Sequence, residues 1–270
     1  MLLMLLSLAC SEPASHPAPP PPAPAAPPAA PVWPEAGAPL ARVVQRFPGN
    51  FNVHRVYLDP GHGAPGNRGN VGVLCQVEQE ENLAMSLELR DHLVHTGRFE
   101  VRLARAGDAH PGYRARVAEA EAWGAEVYLS LHTDARGAAA PWIAPDGQRC
   151  LRGLGSVGPS VLWSDEGAAP ARRERLATRL AEAMTATGLP PYSGEDYVGL
   201  YDKTAPGVFV DRHQPGSRIF VLRAPSMPSA IVETHNALHL DEVARWEEPA
   251  TRAAFCDAVT AALIAFLASP

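Results

Sequence analysis

The sequence predicts an α/β fold: a single domain with a mostly parallel, twisted sheet flanked by helices, preceded by a Pro/Ala-rich tether. Three observations lead there. From about His54 onward, short apolar runs of strand length alternate with longer stretches of helical periodicity, the pattern of βαβ units. An apolar content of 46% in 270 residues suffices for one sizeable core, and no internal repeat is visible. Residues 11–40 hold 12 of the 28 prolines, interleaved with alanine and without any hydrophobic period, so this stretch cannot build a core and reads as a semi-rigid spacer.

Taken in order, Met1 to Ala9 is almost wholly apolar and meets Cys10 directly after the small residue Ala9. This is similar to the end of a lipoprotein-type signal, with Ser7-Leu8-Ala9-Cys10 matching it in part. Residues 1–10 are therefore expected to be a signal segment whose Cys10 carries lipid, 11–50 a linker, and 51–270 the folded domain. Strands are expected near 54–59, 99–104, 126–131, 160–163, 218–222 and 229–233. The first helix should run from about Gln79 to Thr96, with Leu83, Leu87, Arg90 and Val94 on one face, acidic residues in its first turn and Gly97 as its stop. Further helices are expected over about 112–123, 169–187 and 248–268. The stretches 135–158 and 188–217, rich in Gly, Pro and aromatics, read as loops. No run after the N-terminus approaches about 18 apolar residues, so no transmembrane helix is expected.

A formal charge of −6 and a pI near 5.9 argue against a nucleic-acid binder, which would carry a basic stripe. The four cysteines, at 10, 75, 150 and 256, form none of the close pairs of a structural zinc site. Cys75 and Cys150 lie in Gly-rich, loop-like contexts and could bridge in an oxidising compartment, whereas Cys256 falls in a helical pattern and reads as a small buried hydrophobe.

The chemistry sits where strands end. Asp59-Pro60-Gly61-His62-Gly63 follows the first strand, His132-Thr133-Asp134-Ala135 the third, and Glu233-Thr234-His235-Asn236 the last. In open parallel sheets the C-terminal strand edge is where ligands bind, so these groups can converge although they are far apart in sequence. With Glu78 at the start of the first helix, the set holds two histidines and a glutamate suited to zinc, and one further glutamate. The bland alternatives are hydrogen-bonded surface histidines, and a Glu78 that only favours the positive end of a helix dipole. Glycines on both sides of His62 let the backbone turn tightly and leave the imidazole free to face a cleft.

At these residues the chain resembles a known family, the zinc-dependent N-acetylmuramoyl-L-alanine amidases of the amidase-3 type. The resemblance follows one order: Asp59 to Gly63; Glu78 with Asn82-Leu83; Leu103-Ala104-Arg105-Ala106-Gly107-Asp108; Arg116 with Ala120; Ser130-Leu131-His132-Thr133-Asp134-Ala135; and Pro228 to Glu233. It covers roughly residues 54 to 268. Two departures stand out: Ala64-Pro65 where the family has a second glycine, and Thr234-His235-Asn236 where it continues with x-Gly-Phe. The region of about 136–225 follows the family only loosely.

The resemblance implies a phosphorylase/hydrolase-like α/β domain holding one zinc ion (Zn2+) through His62, Glu78 and His132, with Glu233 as the catalytic acid and base. The implied reaction is hydrolysis of the amide between N-acetylmuramic acid and L-alanine in peptidoglycan. Asp59 and Asp134 are candidates to stand behind the imidazoles, on the ring nitrogens that face away from the metal, with service of the turn before Pro60 as an equal alternative for Asp59. His235, two residues after Glu233, should project from the same face of an extended strand and either steady an oxyanion or form an ordinary hydrogen bond. The triplet Asp211-Arg212-His213 is a further candidate for substrate contact. An exported enzyme follows, periplasmic or in the cell envelope, anchored through Cys10, with peptidoglycan as its partner, no nucleic acid, and an activator protein of unknown identity. The rival readings are a zinc amidohydrolase or carboxypeptidase of small acylated amino acids or peptides, and a wall-binding lipoprotein that does not catalyse.

Overall fold

The structure is a computed structural model that describes residues 33–107 and 109–269. The signal segment, Cys10, the tether up to residue 32 and Asp108 lie outside the described residues.

Among the described residues, nine strands and six α-helices follow one another. The first half runs β1 (His54–Pro60), α1 (Glu78–His95), β2 (Phe99–Leu103), α2 (Tyr113–Trp123) and β3 (Val127–Asp134), then β4 (Ala139–Ile143), β5 (Arg149–Gly153) and β6 (Ser160–Trp163). The second runs α3 (Pro170–Thr185), β7 (Tyr201–Ala205), β8 (Val208–Asp211), α4 (Phe220–Arg223), β9 (Ser229–Asn236), α5 (Leu240–Trp246) and α6 (Pro249–Leu267).

Seven strands form one sheet in the order β2-β1-β3-β9-β6-β8-β7. The β2-β1-β3-β9 half is parallel throughout, whereas β6 joins β9 antiparallel, β8 follows β6 parallel, and β7 closes antiparallel on β8. Strand alternation divides the core into two layers. Val56, Leu58, Leu129 and Leu131 pack with Leu89 of α1, Leu180 of α3 and Leu263 of α6. Tyr57, Tyr128 and Ile231 point the other way, onto Val117 of α2 and Leu222 of α4. Both faces are thus covered, which explains why the central strands read as continuous apolar runs. The helix α6 is long and apolar enough to cross a membrane, but it packs against α3 and α1 as a core helix.

Several expectations are corrected. Residues 218–222 form no strand: Ile219 accepts hydrogen bonds from the backbone N–H of Leu222 and Arg223, winding this short apolar run into α4. A run of this length fits a helix turn as well as a strand, and only its neighbours decide. The supposed loop 188–217 contains β7 and β8, and 135–158 contains the antiparallel β4–β5 hairpin. The hairpin is tied to the segment before α1 by the Cys75–Cys150 disulfide and by Trp142 Nε1, which donates to Val73 O at 2.7 Å. Cys256 is free and buried. Residues 33–50, assigned above to the linker, lie on the domain: Trp33, Leu40, Val43 and Phe47 pack on the core, and the buried Arg245 donates to the carbonyls of Glu35 and Ala38.

Candidate functional site

The adjacent strands β1, β3 and β9 run parallel, so their C-terminal ends lie side by side, with Asp59 opposite Ser130 and His132 opposite Glu233. This brings the three motifs to one edge of the sheet. His62 sits beyond β1 in a left-handed conformation, φ 60°, and is followed by Gly63 at φ 75°. Such a backbone is costly for a residue with a side chain and persists only when its surroundings fix it. Here two buried arginines do so. Arg116 donates to Asp59 Oδ1 at 2.8 Å, to Pro60 O at 3.2 Å and to His62 O at 2.7 Å, while Arg105 donates to Pro60 O and Gly61 O, both at 3.0 Å. Gly61 is required as well, because a Cβ there would overlap the His132 imidazole.

His62, Glu78 and His132 come together with one potential ligand atom each, all within 4.8 Å of one another. Glu78 Oε1 lies 3.0 Å from His62 Nε2 and 3.1 Å from His132 Nδ1. The other Glu78 oxygen accepts from Asn70, by its backbone N–H and its side-chain amide, both at 2.9 Å. Hydrogen bonds on the far sides of the rings settle which nitrogen carries the proton. Asn67 Oδ1, 2.7 Å from His62 Nδ1, can only accept, so Nδ1 donates and Nε2 keeps its lone pair toward Glu78. The Ser130 hydroxyl donates to Asp59 Oδ2 at 2.9 Å and therefore accepts from His132 Nε2 at 3.2 Å, leaving the Nδ1 lone pair toward Glu78. Two imidazole lone pairs and a carboxylate oxygen thus face one point, an arrangement that calls for a cation between them. Burial disfavours the Glu78 carboxylate, yet its hydrogen bonds with His132 and His62 outweigh that and hold it far below the ordinary carboxylate range. Burial is likewise outweighed at His62, where the neighbouring Glu78 raises the imidazole pKa, the mark of a carboxylate drawing positive charge to this point.

Glu233 lines the same cavity as His62 and His132, and its Oε2 has no hydrogen-bond partner. Burial, followed by the charges of Asp134 and Glu78, raises its pKa well above the usual carboxylate value, with Arg136 opposing. Tyr113, Tyr201 and Phe220 form an aromatic wall around this carboxylate.

The remaining candidates fall elsewhere. Asp59 touches neither imidazole; it serves Arg116 and Ser130, and reaches His132 only through the serine hydroxyl. Asp134 binds the Tyr197 hydroxyl and lies 2.9 Å from Arg136 Nε, so it is no partner of the histidine rings. His235 leaves the site because β9 bulges: between the pairs His132–Glu233 and Asp134–Asn236, two residues of β9 face one of β3. The extra residue flips the alternation, and His235 stacks on Trp246, 5.3 Å between ring centroids, on the wall of a separate cavity. Asp211 is buried and accepts from the backbone N–H groups of His213 and Ile219, while Arg212 pairs with Asp165 and Asp202, so the triplet holds the loop before α4 together. Sequence reasoning gave no role to Asn67, Asn70, Ser130 or Arg116, although the last two stand inside the quoted motifs. Asn67 and Asn70 flank Gly69, where a Cβ would run into Glu78, and that crowded glycine-rich loop is their one sequence signal.

Comparison with known proteins agrees with this geometry. Residues 56–265 match the family model described as N-acetylmuramoyl-L-alanine amidase. The amidase AmiC of Escherichia coli O6:H1 is 23% identical over 235 residues, which make up 79% of this chain and 52% of AmiC. The sporulation-specific N-acetylmuramoyl-L-alanine amidase of Bacillus subtilis is 31% identical over 99 residues, 34% of this chain and 36% of that protein, so the chain spans about half or less of these relatives. Among solved structures, the amidase Ami1 of Mycobacterium smegmatis shares the fold with a TM-score of 0.63 at 22% identity, covering 82% of this chain and all of its own. With the match running from β1 into α6, the chain belongs to the amidase-3 family of N-acetylmuramoyl-L-alanine amidases.

Proposed function

We propose that this chain is an exported peptidoglycan amidase that cleaves the bond between N-acetylmuramic acid and L-alanine, using one zinc ion held by His62, Glu78 and His132. The observation that carries the reading is the convergence of lone pairs just described, fixed from behind by Asn67 and Ser130 and set in one cavity with an unpartnered buried carboxylate. Two nitrogens and one carboxylate oxygen suit zinc and leave a position open, as hydrolytic sites require. Held by these three residues, zinc would supply Lewis acidity, lowering the pKa of a bound water toward neutrality and drawing electron density from the scissile carbonyl.

The chain's own groups do the rest. Glu233 accepts the proton of the attacking water at its free Oε2 and returns it to the departing nitrogen, since an amine leaves poorly without that proton. Its raised pKa suits a group that must hold the proton between these two events. Tyr113, Tyr201 and Phe220 give the substrate apolar faces to lie against while their neighbours exclude water. The disulfide fits an oxidising compartment and hence export. Anchoring through Cys10 would complete the reading as a lipoprotein of the cell envelope.

The test is release of peptides from purified peptidoglycan by the zinc-loaded chain, by the chelated chain, and by Glu233→Ala. Free N-terminal alanine that depends on zinc and vanishes in the variant supports the proposal. Activity confined to small acylated amino acids would favour the amidohydrolase reading, and a folded, zinc-loaded chain that binds the wall without releasing anything would favour the non-catalytic one.

A further inference from the structure

A second cavity, about 260 Å³, opens on the other face of β3 and β9, under α1 and α5. Its walls hold four buried side-chain atoms without hydrogen-bond partners: Glu81 Oε2, Thr133 Oγ1, His235 Nε2 and Trp246 Nε1. Unpaired polar atoms are costly in a protein interior, so their concentration in one place points to an occupant. His235 and Trp246 are only 5% and 4% exposed.

The character of these atoms narrows the occupant. Thr234 Oγ1 donates to His132 O at 3.1 Å, so in its 2.9 Å contact with His235 Nδ1 the ring nitrogen is the donor. His235 Nε2 is therefore a bare acceptor, like the Glu81 oxygen, and Trp246 alone offers an obligate donor. Charge points the same way. Glu81, Glu88 and Glu247 stand against Arg252, whose guanidinium is spent on both Glu88 oxygens and on the carbonyls of Trp246 and Glu247. Met85, Leu131 and Val243 supply apolar wall between these groups. A divalent ion does not fit the pattern: among the described residues, three metal-binding groups converge only at His62, Glu78 and His132.

We infer that this cavity binds a small primary alkylammonium, its nitrogen hydrogen-bonded by Glu81 and His235 and its carbon chain laid along Met85 and Val243. Such a ligand matches the acceptors with N–H donors, the carboxylate excess with positive charge, and the apolar wall with methylenes. Burial, with the charges of Glu247 and Glu78, already raises Glu81 to about 7, a penalty that a bound ammonium relieves.

Cadaverine is the probe, titrated into the full chain by calorimetry and by tryptophan fluorescence, with pentanediol as its uncharged counterpart and matched salt as a control. Saturable one-to-one binding is expected, weakened about tenfold or more by the diol and by Glu81→Gln. His235→Phe, which keeps the stacking on Trp246 and removes the acceptor, should weaken it as well, and Trp246→Phe should abolish the fluorescence change. If Glu81→Gln loses cooperative unfolding, Glu247→Gln replaces it, because reducing the carboxylate excess should also lower affinity. No saturable heat, equal affinity for the diol, or affinity unchanged in Glu81→Gln and His235→Phe would overturn the inference and leave the cavity to water.

Discussion

The two halves of the sheet differ in where the ion pairs that hold their loops lie. At the end of β1, in the parallel half, the anchors are buried: Arg116 and Asp59 are paired out of reach of solvent, and Arg105 is fixed beside them. In the mixed half, the segments around β7, β8 and α4 are laced by Arg212 and Arg218 to Asp165 and Asp202, all on the surface or near it. The first half supplies His62, His132 and Glu233 to the cavity, and the second supplies Leu162, Tyr201 and Phe220 as its apolar wall. The groups proposed to react thus face an apolar wall contributed by the other half of the sheet.

The largest effect that would sharpen this contrast is on the reaction itself. Glu233→Gln should lower kcat by about 10²–10⁴ while leaving zinc content and unfolding temperature near those of the parent, as general acid and base catalysis predicts. Peptide-release rates beside metal analysis check it. Tyr201→Ala on the opposite wall should chiefly raise KM. Stability should divide the same way. Arg116→Ala leaves the Asp59 carboxylate buried without its partner and should cost about 3–5 kcal/mol, whereas Arg212→Ala breaks exposed pairs and should cost about 0–1 kcal/mol. Urea unfolding of the two variants decides; equal losses would break the comparison. Smaller still, Asn67→Ala and Ser130→Ala should each weaken zinc about 10–100-fold without abolishing it, because they free the rings to turn or change tautomer. Competition with a chelator of known affinity measures this.

How much was legible in the sequence follows the same division. The parallel half could be read because three of its four strands, β1, β3 and β9, end in a short polar motif, and because strands buried on both faces leave apolar runs that have few other uses. The convergence of His62 and His132 came from those strand ends, and Glu78 joined them from the start of α1. What could not be read depends on contacts distant in sequence. Nothing near Asp59 announces that its partner is Arg116, 57 residues away, nor that Ser130 relays it to His132. In the mixed half, β7 escaped because a five-residue strand with exposed polar residues resembles a loop, β8 because its four buried residues make too short a run to stand out, and α4 because a short apolar run satisfies either period. His235 is the clearest case. Simple alternation put it beside Glu233, and a single extra residue in β9 reversed the side on which it lies.

That reversal yields the last prediction, on pH. His235 is buried against Trp246, and burial, aided by the charge of Arg136, lowers its pKa to about 3 from an ordinary 6.5. Between these values the unfolded chain takes up a proton that the folded chain refuses. Folding stability contributed by the neutral ring is therefore complete above about pH 6.5 and falls as the pH drops toward 3. Glu242 works in the opposite direction: its carboxyl, raised by burial to about 7, favours the folded chain below that pH and costs stability as the pH climbs from about 4.5 to 7. The two slopes oppose each other across the weakly acid range. Removing the imidazole should uncover the glutamate. In His235→Phe, stability measured by urea unfolding should decline less steeply than in the parent when the pH is lowered from about 6.5 to 4, with the two proteins converging in slope above about pH 7. A variant with the parent's acid slope would show that the ring is already protonated in the folded state, and would return His235 to the ordinary surface histidine that its place at a strand end first suggested.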